Sequence, residues 1–298
     1  TLHKKAISAA AVALLSGLAC SSAFAADTPT NPEDAGSPIA ANVTIVNDYR
    51  YRGISQSNFK PAIQGGFDYA HDSGFYIGNW NSSISWISDS YSVNGSNYYS
   101  TNSSTSVSAP VEMDFYAGYK KELLGEGFAT DIGFLQYYYP TSGIPNTSGK
   151  AANPNTSEIY LAQNFAFGPV SGFAKVSYAV STLFGTTNST GSYYPDLTVN
   201  YDTGFYGITA NGHIGYQYVA GNQPSNSSWV PATVSNSTLF SYTDWKLGLT
   251  KDFGGGLSAA LAYVGTNAPT YKGTYGYYNP QGKNLGKSGG LISLTKTF

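Results

Sequence analysis

Apolar and polar residues alternate along most of the chain in short segments. From position 42 onward we distinguish about twelve such segments, separated by stretches rich in Gly, Asn, Ser and Asp. Successive side chains of a β-strand point to opposite faces, and a tilted strand of ~9–11 residues is long enough to cross a bilayer. The predicted strands are 43–54, 61–71, 74–86, 111–120, 128–139, 157–167, 171–183, 193–201, 205–218, 241–252, 257–266 and 288–298.

The connections between these segments alternate in length. Every second connection is short and turn-like, at 72–73, 121–127, 168–170, 202–204 and 254–256. The long connections are 87–110, 140–156, 184–192, 219–240 and 267–287, while the first, 55–60, is a short exception. Bacterial outer-membrane barrels have tight periplasmic turns and longer extracellular loops. We therefore predict an all-β, antiparallel, up-and-down transmembrane β-barrel, with both termini in the periplasm because the number of strands is even.

The composition argues against a water-soluble globular domain and against a helical membrane protein. Charged residues make up 11% of the chain, against roughly 25% in typical globular proteins. A helical membrane protein would need apolar runs of ~20 residues, which are missing after position 25. A barrel with its outer wall in lipid and polar residues inside satisfies both observations. A tyrosine-rich β-sandwich stays open as the alternative fold.

Aromatic residues are concentrated near the predicted strand ends, where amphipathic rings favour the headgroup level of a bilayer. Near the short turns are Tyr69, Phe75, Tyr119, Phe128, Phe165, Tyr201, Phe205 and Phe253. Near the long connections are Tyr51, Trp86, Tyr137, Tyr139, Phe184, Tyr193 and Tyr218. We interpret the two groups as the two aromatic belts of a barrel wall.

The first 25 residues are typical of a cleaved secretory signal peptide. Lys4 and Lys5 precede an apolar stretch, and Ala23-Phe24-Ala25 gives the small-x-small cleavage pattern. A lipoprotein signal that uses Cys20 is the alternative. We predict a flexible lead-in over 26–41, the barrel over 42–298, and a location in the bacterial outer membrane.

The last strand carries an insertion signal. Ile292, Leu294 and Phe298 share one strand face, and the chain ends in an aromatic residue. This resembles the C-terminal strand by which the barrel-assembly machinery recognises its clients, although Lys296 replaces the apolar residue usual at that position. Outer-membrane lipid and this machinery are therefore predicted partners.

Strand alternation also predicts which side chains face the barrel interior. A Lys or Arg that faces lipid at mid-depth costs ~2–4 kcal/mol, so the charged face of each strand must point inward. The predicted pore-lining residues are Asp48, Arg50, Arg52, Asp68, Glu112, Asp114, Asp131, Glu158, Tyr160, Lys175, Asp196, His213, Asp244 and Lys246. Arg50 and Arg52 are placed about 7 Å apart along the first strand. Two interpretations stay open: the charges line a conducting pore, or they pair into a network that fills the interior.

Catalytic and metal sites find little support. We considered a barrel-type hydrolase built on His213 and Asn211, but no distinctive serine motif accompanies them. His71 lies in a predicted turn, and no Cys/His spacing or aspartate-rich loop indicates zinc or calcium. The net charge is −2 without a basic run, which argues against nucleic acid as a partner. We predict a protein that is not an enzyme and has no cofactor.

Several segments resemble the TorF-type family of proteobacterial porin-like proteins. The segments that carry the resemblance are 42–55 (NVTIVNDYRYRGIS), 74–80 (GFYIGNW), 113–119 (MDFYAGY), 158–160 (EIY), 242–251 (YTDWKLGLTK), 261–266 (LAYVGT) and 291–298 (LISLTKTF). The resemblance implies an outer-membrane barrel and, less directly, transport of an unestablished substrate. Long insertions at 87–110 and 219–240 depart from the family pattern.

The sequence thus predicts a porin-like channel for passive diffusion of small hydrophilic solutes. A plugged structural or surface-interaction barrel that acts through its long loops is the first alternative. A membrane hydrolase is the second.

Overall fold

The computed structural model describes residues 38–93, 96–97, 107–144, 153–223 and 234–298. The predicted signal peptide and most of the predicted lead-in lie outside these residues. In chain order the elements are β1 (Ile39–Val46), β2 (Arg50–Tyr51), β3 (Ile54–Ser55), β4 (Ala62–Ala70), β5 (Phe75–Ser83), α1 (Trp86–Ser90), β6 (Ser92–Val93), β7 (Ser96–Asn97), β8 (Val111–Glu122), β9 (Phe128–Tyr138), β10 (Thr156–Phe167), β11 (Val170–Ala179), β12 (Tyr193–Asp202), β13 (Ile208–Gln217), α2 (Asn236–Phe240), β14 (Tyr242–Asp252), β15 (Leu257–Thr266), β16 (Thr270–Tyr271), β17 (Thr274–Tyr275) and β18 (Gly289–Thr297). Within the described residues, no helix is long and apolar enough to cross a bilayer.

Twelve of the strands close into one antiparallel barrel, which confirms the predicted fold class. The order around the wall is β1-β18-β15-β14-β13-β12-β11-β10-β9-β8-β5-β4, so each strand pairs with its neighbours in the chain. The first and last strands close the barrel in a register that pairs Asn42 with Thr297 and Val46 with Ser293. Closure leaves no free sheet edge, which is the condition for placing strands in a hydrocarbon layer.

All the short connections lie at one end of the barrel and all the long ones at the other. The segments 71–74, 123–127, 168–169, 203–207 and 253–256 form the short-turn end. The strand ends that the longer connections join lie at the other end, called the long-loop end: Val46 and Ala62, Ser83 and Val111, Tyr138 and Thr156, Ala179 and Tyr193, Gln217 and Tyr242, Thr266 and Gly289. The first connection is therefore longer than predicted, and the asymmetry holds for the whole barrel.

The outer wall is apolar along its height. Leu247, at the middle of β14, has 69% of its surface exposed, and Ile132, Leu161 and Ile214 on other strands are also exposed. Their inward neighbours on the same strands are polar and buried. Ile292 and Leu294 on β18 and the following Phe298 are exposed, and their role as an insertion signal stays a prediction. An exposed apolar belt of this extent is compatible with lipid and not with water.

Tyrosine rings inside the barrel lie across glycines of the neighbouring strand. Tyr160 covers Gly133, and Tyr194 covers Gly215, so closely that an added Cβ would collide with the phenol ring. A residue with a side chain at these glycines would push the ring out of place. The paired small and large residues therefore let flat aromatic rings fill part of the interior.

The first predicted strand, 43–54, is wrong in its second half. β1 begins at Ile39, within the predicted lead-in, because Ile39 pairs with Tyr69 of β4. It ends at Val46, and the next residues leave the wall and enter the lumen. At the point of departure the Asn47 side chain accepts from the backbone N–H of Ile292 and donates to the carbonyl of Gly290, so it extends the β1–β18 seam.

Candidate functional site: a charged lumen crossed by an inward hairpin

Residues 48–57 fold into the lumen as a compact segment, here called the inward hairpin. β2 and β3 pair in a register that sets Tyr51 opposite Ile54, joined by the two residues Arg52 and Gly53. Both have positive φ angles, 45° and 77°, which is the backbone of a type I′ turn. Every residue from position 48 to 57 is buried. The hairpin is thus enclosed by the barrel.

The tip of the hairpin rests directly against β14 and β15 of the wall. A Cβ built on Gly53 would lie 2.9 Å from the Asp244 Cβ on β14 and closer still to a Thr266 methyl group on β15. Glycine is therefore required here by both its φ angle and the space left for it. β1, from which the hairpin starts, is separated from β14 by β18 and β15 in the wall.

Arg50 holds the hairpin together and anchors it to the last long loop. Its Nε donates to Asp48 Oδ2 at 2.5 Å. Its Nη1 donates to the carbonyls of Gly53 at 2.8 Å and Lys287 at 3.0 Å. The Ser55 hydroxyl donates to the other oxygen of Asp48 at 2.6 Å. Arg50 therefore ties Asp48 and Gly53 of the hairpin to the loop that contains Lys287.

Arg52 reaches across the lumen to the opposite wall. Its Nη2 donates to both carboxylate oxygens of Glu158 on β10, at 2.8 and 3.0 Å. Its Nη1 donates to Gln217 Oε1 on β13 at 2.6 Å. The guanidinium carbon lies 4.1 Å from the ring centre of Tyr194 on β12 and 4.8 Å from that of Tyr51. One side chain of the hairpin therefore bridges three wall strands.

Tyrosines of the hairpin bind the wall on the β8 and β9 side. Tyr49 donates to Glu112 Oε1 at 2.5 Å, and Tyr139 donates to the other oxygen of that carboxylate at 2.5 Å. The Tyr51 hydroxyl donates to that of Tyr137 at 2.9 Å. The ring of Tyr49 also meets Trp80 edge to face, with centroids 5.5 Å apart. The hairpin thus contacts the wall around much of its circumference.

A second cluster of charges lies on β11 to β14. His213 Nε2 is 3.0 Å from Asp244 Oδ1, and the Tyr194 hydroxyl donates to Asp244 Oδ2 at 2.8 Å. The other ring nitrogen, His213 Nδ1, is 2.9 Å from the Thr198 hydroxyl. Lys175 Nζ lies 3.8 Å from Asp196 Oδ1, on the neighbouring strand. Among the described residues, the hydrogen-bond partners of His213 are Tyr194, Thr198 and Asp244.

A third cluster lies nearer the short-turn end. Tyr76 donates to Asp131 Oδ1 at 2.6 Å and also hydrogen-bonds the Tyr160 hydroxyl. The Tyr116 hydroxyl donates to Asp68. Between the hairpin and the short-turn end, the lumen is therefore lined by carboxylates that accept hydrogen bonds from tyrosine hydroxyls.

Several buried charged atoms have no hydrogen-bond partner in the described protein. They are both carboxylate oxygens of Asp114, both of Asp196, one of Asp131, the ammonium of Lys120 and Nε of Arg52. A buried ionic group without a partner costs several kcal/mol unless water or a solute hydrates it. Asp196 still has Lys175 Nζ at 3.8 Å, whereas Asp114 has no ion pair among the described residues, so Asp114 is the group that most needs water or a polar solute.

The fourteen predicted pore-lining side chains are all buried inside the barrel, and their pore-lining role stays a prediction. The prediction is wrong in one respect for Asp48, Arg50 and Arg52, which belong to the inward hairpin and not to a wall strand. Arg50 and Arg52 therefore do not form a strip along the wall. Their positions followed from a strand alternation that the chain abandons at Asn47.

Sequence reasoning missed other interior groups. Lys120 has the same strand parity as Glu112 and Asp114 and is buried beside Asp131, so alternation alone could have found it. Tyr194 and Gln217, which hold Arg52, carry no charge and gave no signal. Their role depends on where the hairpin lies, which the wall pattern does not encode.

The predicted aromatic belt at the long-loop end is largely wrong. Tyr51, Tyr137 and Tyr139 are buried in the lumen, and Trp86 and Phe184 pack against the same cluster. Tyr137 and Tyr139 share the inward parity of Asp131 on β9, and the ring of Tyr51 is carried inward by the hairpin. Tyr193 and Tyr218 stack on each other with centroids 4.8 Å apart, and Tyr193 is exposed.

The described residues contain no cluster of three or more His, Cys, Asp or Glu that could hold a metal ion. The arrangement instead defines a closed transmembrane β-barrel with a charged interior. The chain belongs to the family of bacterial proteins of unknown function designated Gcw_chp, whose model matches residues 30–298. That designation carries no TorF name, so the TorF-type resemblance stays a prediction. No curated protein matches this chain.

Among solved structures the chain is similar to several barrels. With a KdgM porin it has a TM-score of 0.47 and 8% identity, over 87% of this chain and 98% of that one. With a KdgM porin in complex with disordered oligogalacturonate, the TM-score is 0.44 and the identity 7%, over 87% and 97%. With Pseudomonas aeruginosa OccD3 (OpdP) they are 0.40 and 12%, over 86% of this chain and 60% of that one. At such TM-scores and identities, no solute or mechanism is inferred from these proteins.

Proposed function

We propose that this protein is a gated outer-membrane channel for small hydrophilic solutes, closed in this conformation by its inward hairpin. The short-turn end faces the periplasm in this proposal and the long loops face the outside. The observation that carries the proposal is a charged lumen in which several buried polar atoms of the described residues have no hydrogen-bond partner, crossed by a hairpin that lies outside the wall ladder.

The chemistry of the lumen supports a channel more than a structural core. A core that only stabilises a barrel is best filled with apolar or fully paired groups, since replacing buried ion pairs by apolar residues is often neutral or stabilising. Here the interior keeps the carboxylates of Asp114 and Asp196 and the ammonium of Lys120 without hydrogen-bond partners. Such groups are compatible with a hydrated path that a polar solute can follow.

The attachment of the hairpin supports movement. Val46 and Ala62, which flank it, are paired directly in the wall, so the barrel is continuous without the segment between them. The hairpin is held by side chains such as Arg52 and Tyr49 and by a few backbone bonds, such as Ser55 N–H to the Leu285 carbonyl at 3.0 Å. It is therefore not part of the ladder that defines the barrel.

Planar-bilayer recording tests the proposal. We expect the native protein to show brief openings, and a variant in which a short Gly-Ser linker replaces 48–59 to stay open with a larger conductance. The linker is feasible because paired residues can be joined by a tight turn. The matched control places the same linker in the β8–β9 turn at 123–126, outside the lumen, and should behave as the native protein does.

The second candidate is a plugged structural barrel that works through its long loops. The bidentate Arg52–Glu158 pair is the observation that favours it, because removing one partner of a buried pair leaves a costly unpaired charge. Correctly folded barrels that are silent in both the native and the linker form would contradict the channel and leave this candidate standing.

A further inference from the structure

The surroundings of the Arg52 head group form a complete binding site for a planar cation. Glu158 supplies two carboxylate oxygens, Gln217 an amide oxygen at 2.6 Å, and Tyr194 the face of an aromatic ring at 4.1 Å. All three belong to wall strands, and none belongs to the hairpin. The wall therefore presents these groups whether or not the hairpin is in place.

These groups match a guanidinium ion in geometry as well as charge. Nη2 of Arg52 donates to both oxygens of Glu158, Nη1 donates to Gln217, and the flat face of the guanidinium lies against the Tyr194 ring. A compact ammonium ion could use the carboxylate but could not also reach Gln217 and present a flat face to the Tyr194 ring. The site thus discriminates by shape within the class of cations.

A neighbouring carboxylate gives a second, independent indication. Asp114 is buried, neither of its oxygens has a hydrogen-bond partner among the described residues, and the like charges of Glu112 and Glu158 lie near it. Glu112 is already bound by two tyrosine hydroxyls. Asp114 therefore remains available to a second positive group beside the guanidinium site.

The wall strands alone carry an excess of acidic side chains in the lumen. The interior acids on wall strands are Asp68, Glu112, Asp114, Asp131, Glu158, Asp196 and Asp244, and the interior bases are Lys120, Lys175 and Lys246. Seven acids against three bases give an acidic lumen, whereas the hairpin itself contributes Arg50, Arg52 and Asp48. An acidic lumen attracts cations and repels anions.

We propose that Glu158, Gln217 and Tyr194 form a subsite for the guanidinium group of a small cationic solute, and that Arg52 occupies this subsite as an internal mimic of that solute. The inference rests on the proposed channel and names its solute class. A solute that carries a guanidinium competes with Arg52 for Glu158, so its binding releases the hairpin tip. Asp114 receives a second positive group of the same solute.

Calorimetric titration of the purified, folded Arg52→Ala variant tests the subsite without requiring conduction. The ligand is agmatine, which carries a guanidinium and an ammonium group. Its matched control is N-carbamoylputrescine, in which a neutral urea of the same shape replaces the guanidinium. We expect the variant to bind agmatine at least about tenfold more tightly than the native protein does, and to prefer agmatine to N-carbamoylputrescine by a similar factor, because the charged hydrogen bonds require the cation.

A second substitution locates the site. Adding Glu158→Gln to Arg52→Ala should weaken agmatine binding at least about tenfold, because the amide keeps the shape and removes the charge. Adding Glu126→Gln in the exposed β8–β9 turn should change nothing. If Arg52→Ala fails to fold, as judged by heat-dependent gel mobility, Arg52→Gln serves with the same readout.

Equal binding of agmatine and N-carbamoylputrescine, or no binding of agmatine by a folded variant, would overturn the inference. So would binding that Glu158→Gln leaves unchanged. Agmatine binding by a barrel that stays silent in the bilayer would instead contradict the channel and leave the subsite in place.

Discussion

At the scale of single residues, tyrosine is the side chain that hydrogen-bonds several of the buried carboxylates in the lumen. The chain contains 26 tyrosines, and several buried ones donate hydroxyl bonds to carboxylates: Tyr49 and Tyr139 to Glu112, Tyr76 to Asp131. A tyrosine fills space with a large apolar ring and also supplies one O–H hydrogen-bond donor. Carboxylates can therefore be kept in the lumen without an equal number of bases.

Tyr76→Phe tests this role. The substitution removes the only hydrogen-bond donor found for Asp131 in the described chain, since its other oxygen has no partner. We expect the free energy of unfolding to fall by about 1–3 kcal/mol, measured by urea unfolding in lipid vesicles. Tyr138→Phe is the matched control, because that ring faces outward and is 42% exposed. Equal losses in the two variants would contradict the account.

At the scale of elements, the inward hairpin separates what the sequence predicts from what it does not. Eleven wall strands begin and end within four residues of their predicted positions, because each buries a polar face and exposes an apolar one. The alternation of apolar and polar residues continues from β1 through Asn47 into the hairpin. It therefore predicts that Tyr49 and Tyr51 face lipid, whereas both are buried in the lumen. The turn glycine, Gly53, was the one local signal of a hairpin, and a single glycine is not specific.

The partners of the hairpin could not be predicted for a different reason. Glu158 and Gln217 are 59 positions apart in the sequence, and Arg52 joins them only because the barrel is closed. Strand parity gives the inward face of each, but not which groups meet across the lumen. The sequence thus predicts that each charged side chain faces the interior, but it does not predict which of them contact one another.

Leu247→Arg tests the lipid-facing wall at the element scale. Leu247 lies midway along β14 and is 69% exposed, while Leu124 in the β8–β9 turn is 70% exposed. We expect Leu247→Arg to lower the stability of the barrel folded in vesicles by about 2–4 kcal/mol and Leu124→Arg by about 0–1 kcal/mol. Equal, small costs at the two positions would mean that β14 does not cross a hydrocarbon layer.

At the scale of the whole molecule, the wall provides the stability of the barrel and the lumen holds the charged groups. The wall is stabilised by a closed ladder of backbone hydrogen bonds and an apolar exterior, and it remains complete across the Val46–Ala62 pair. The lumen holds the charges and the hairpin, which are not needed for closure of the ladder. A segment that can move without opening the wall is what a gate requires.

The measurement that tests this account most directly is the conductance of one barrel with its hairpin first tethered and then released. The Gln56 carbonyl accepts from the backbone N–H groups of Ser85 and Trp86 at 2.9 and 3.1 Å, so Gln56→Cys and Ser85→Cys place two thiols on adjacent backbones. Cys20→Ser removes the native cysteine. The account predicts that the oxidised barrel is silent in a planar bilayer and that a reducing agent restores the brief openings of the native protein. Openings of the same size and frequency before and after reduction would contradict it.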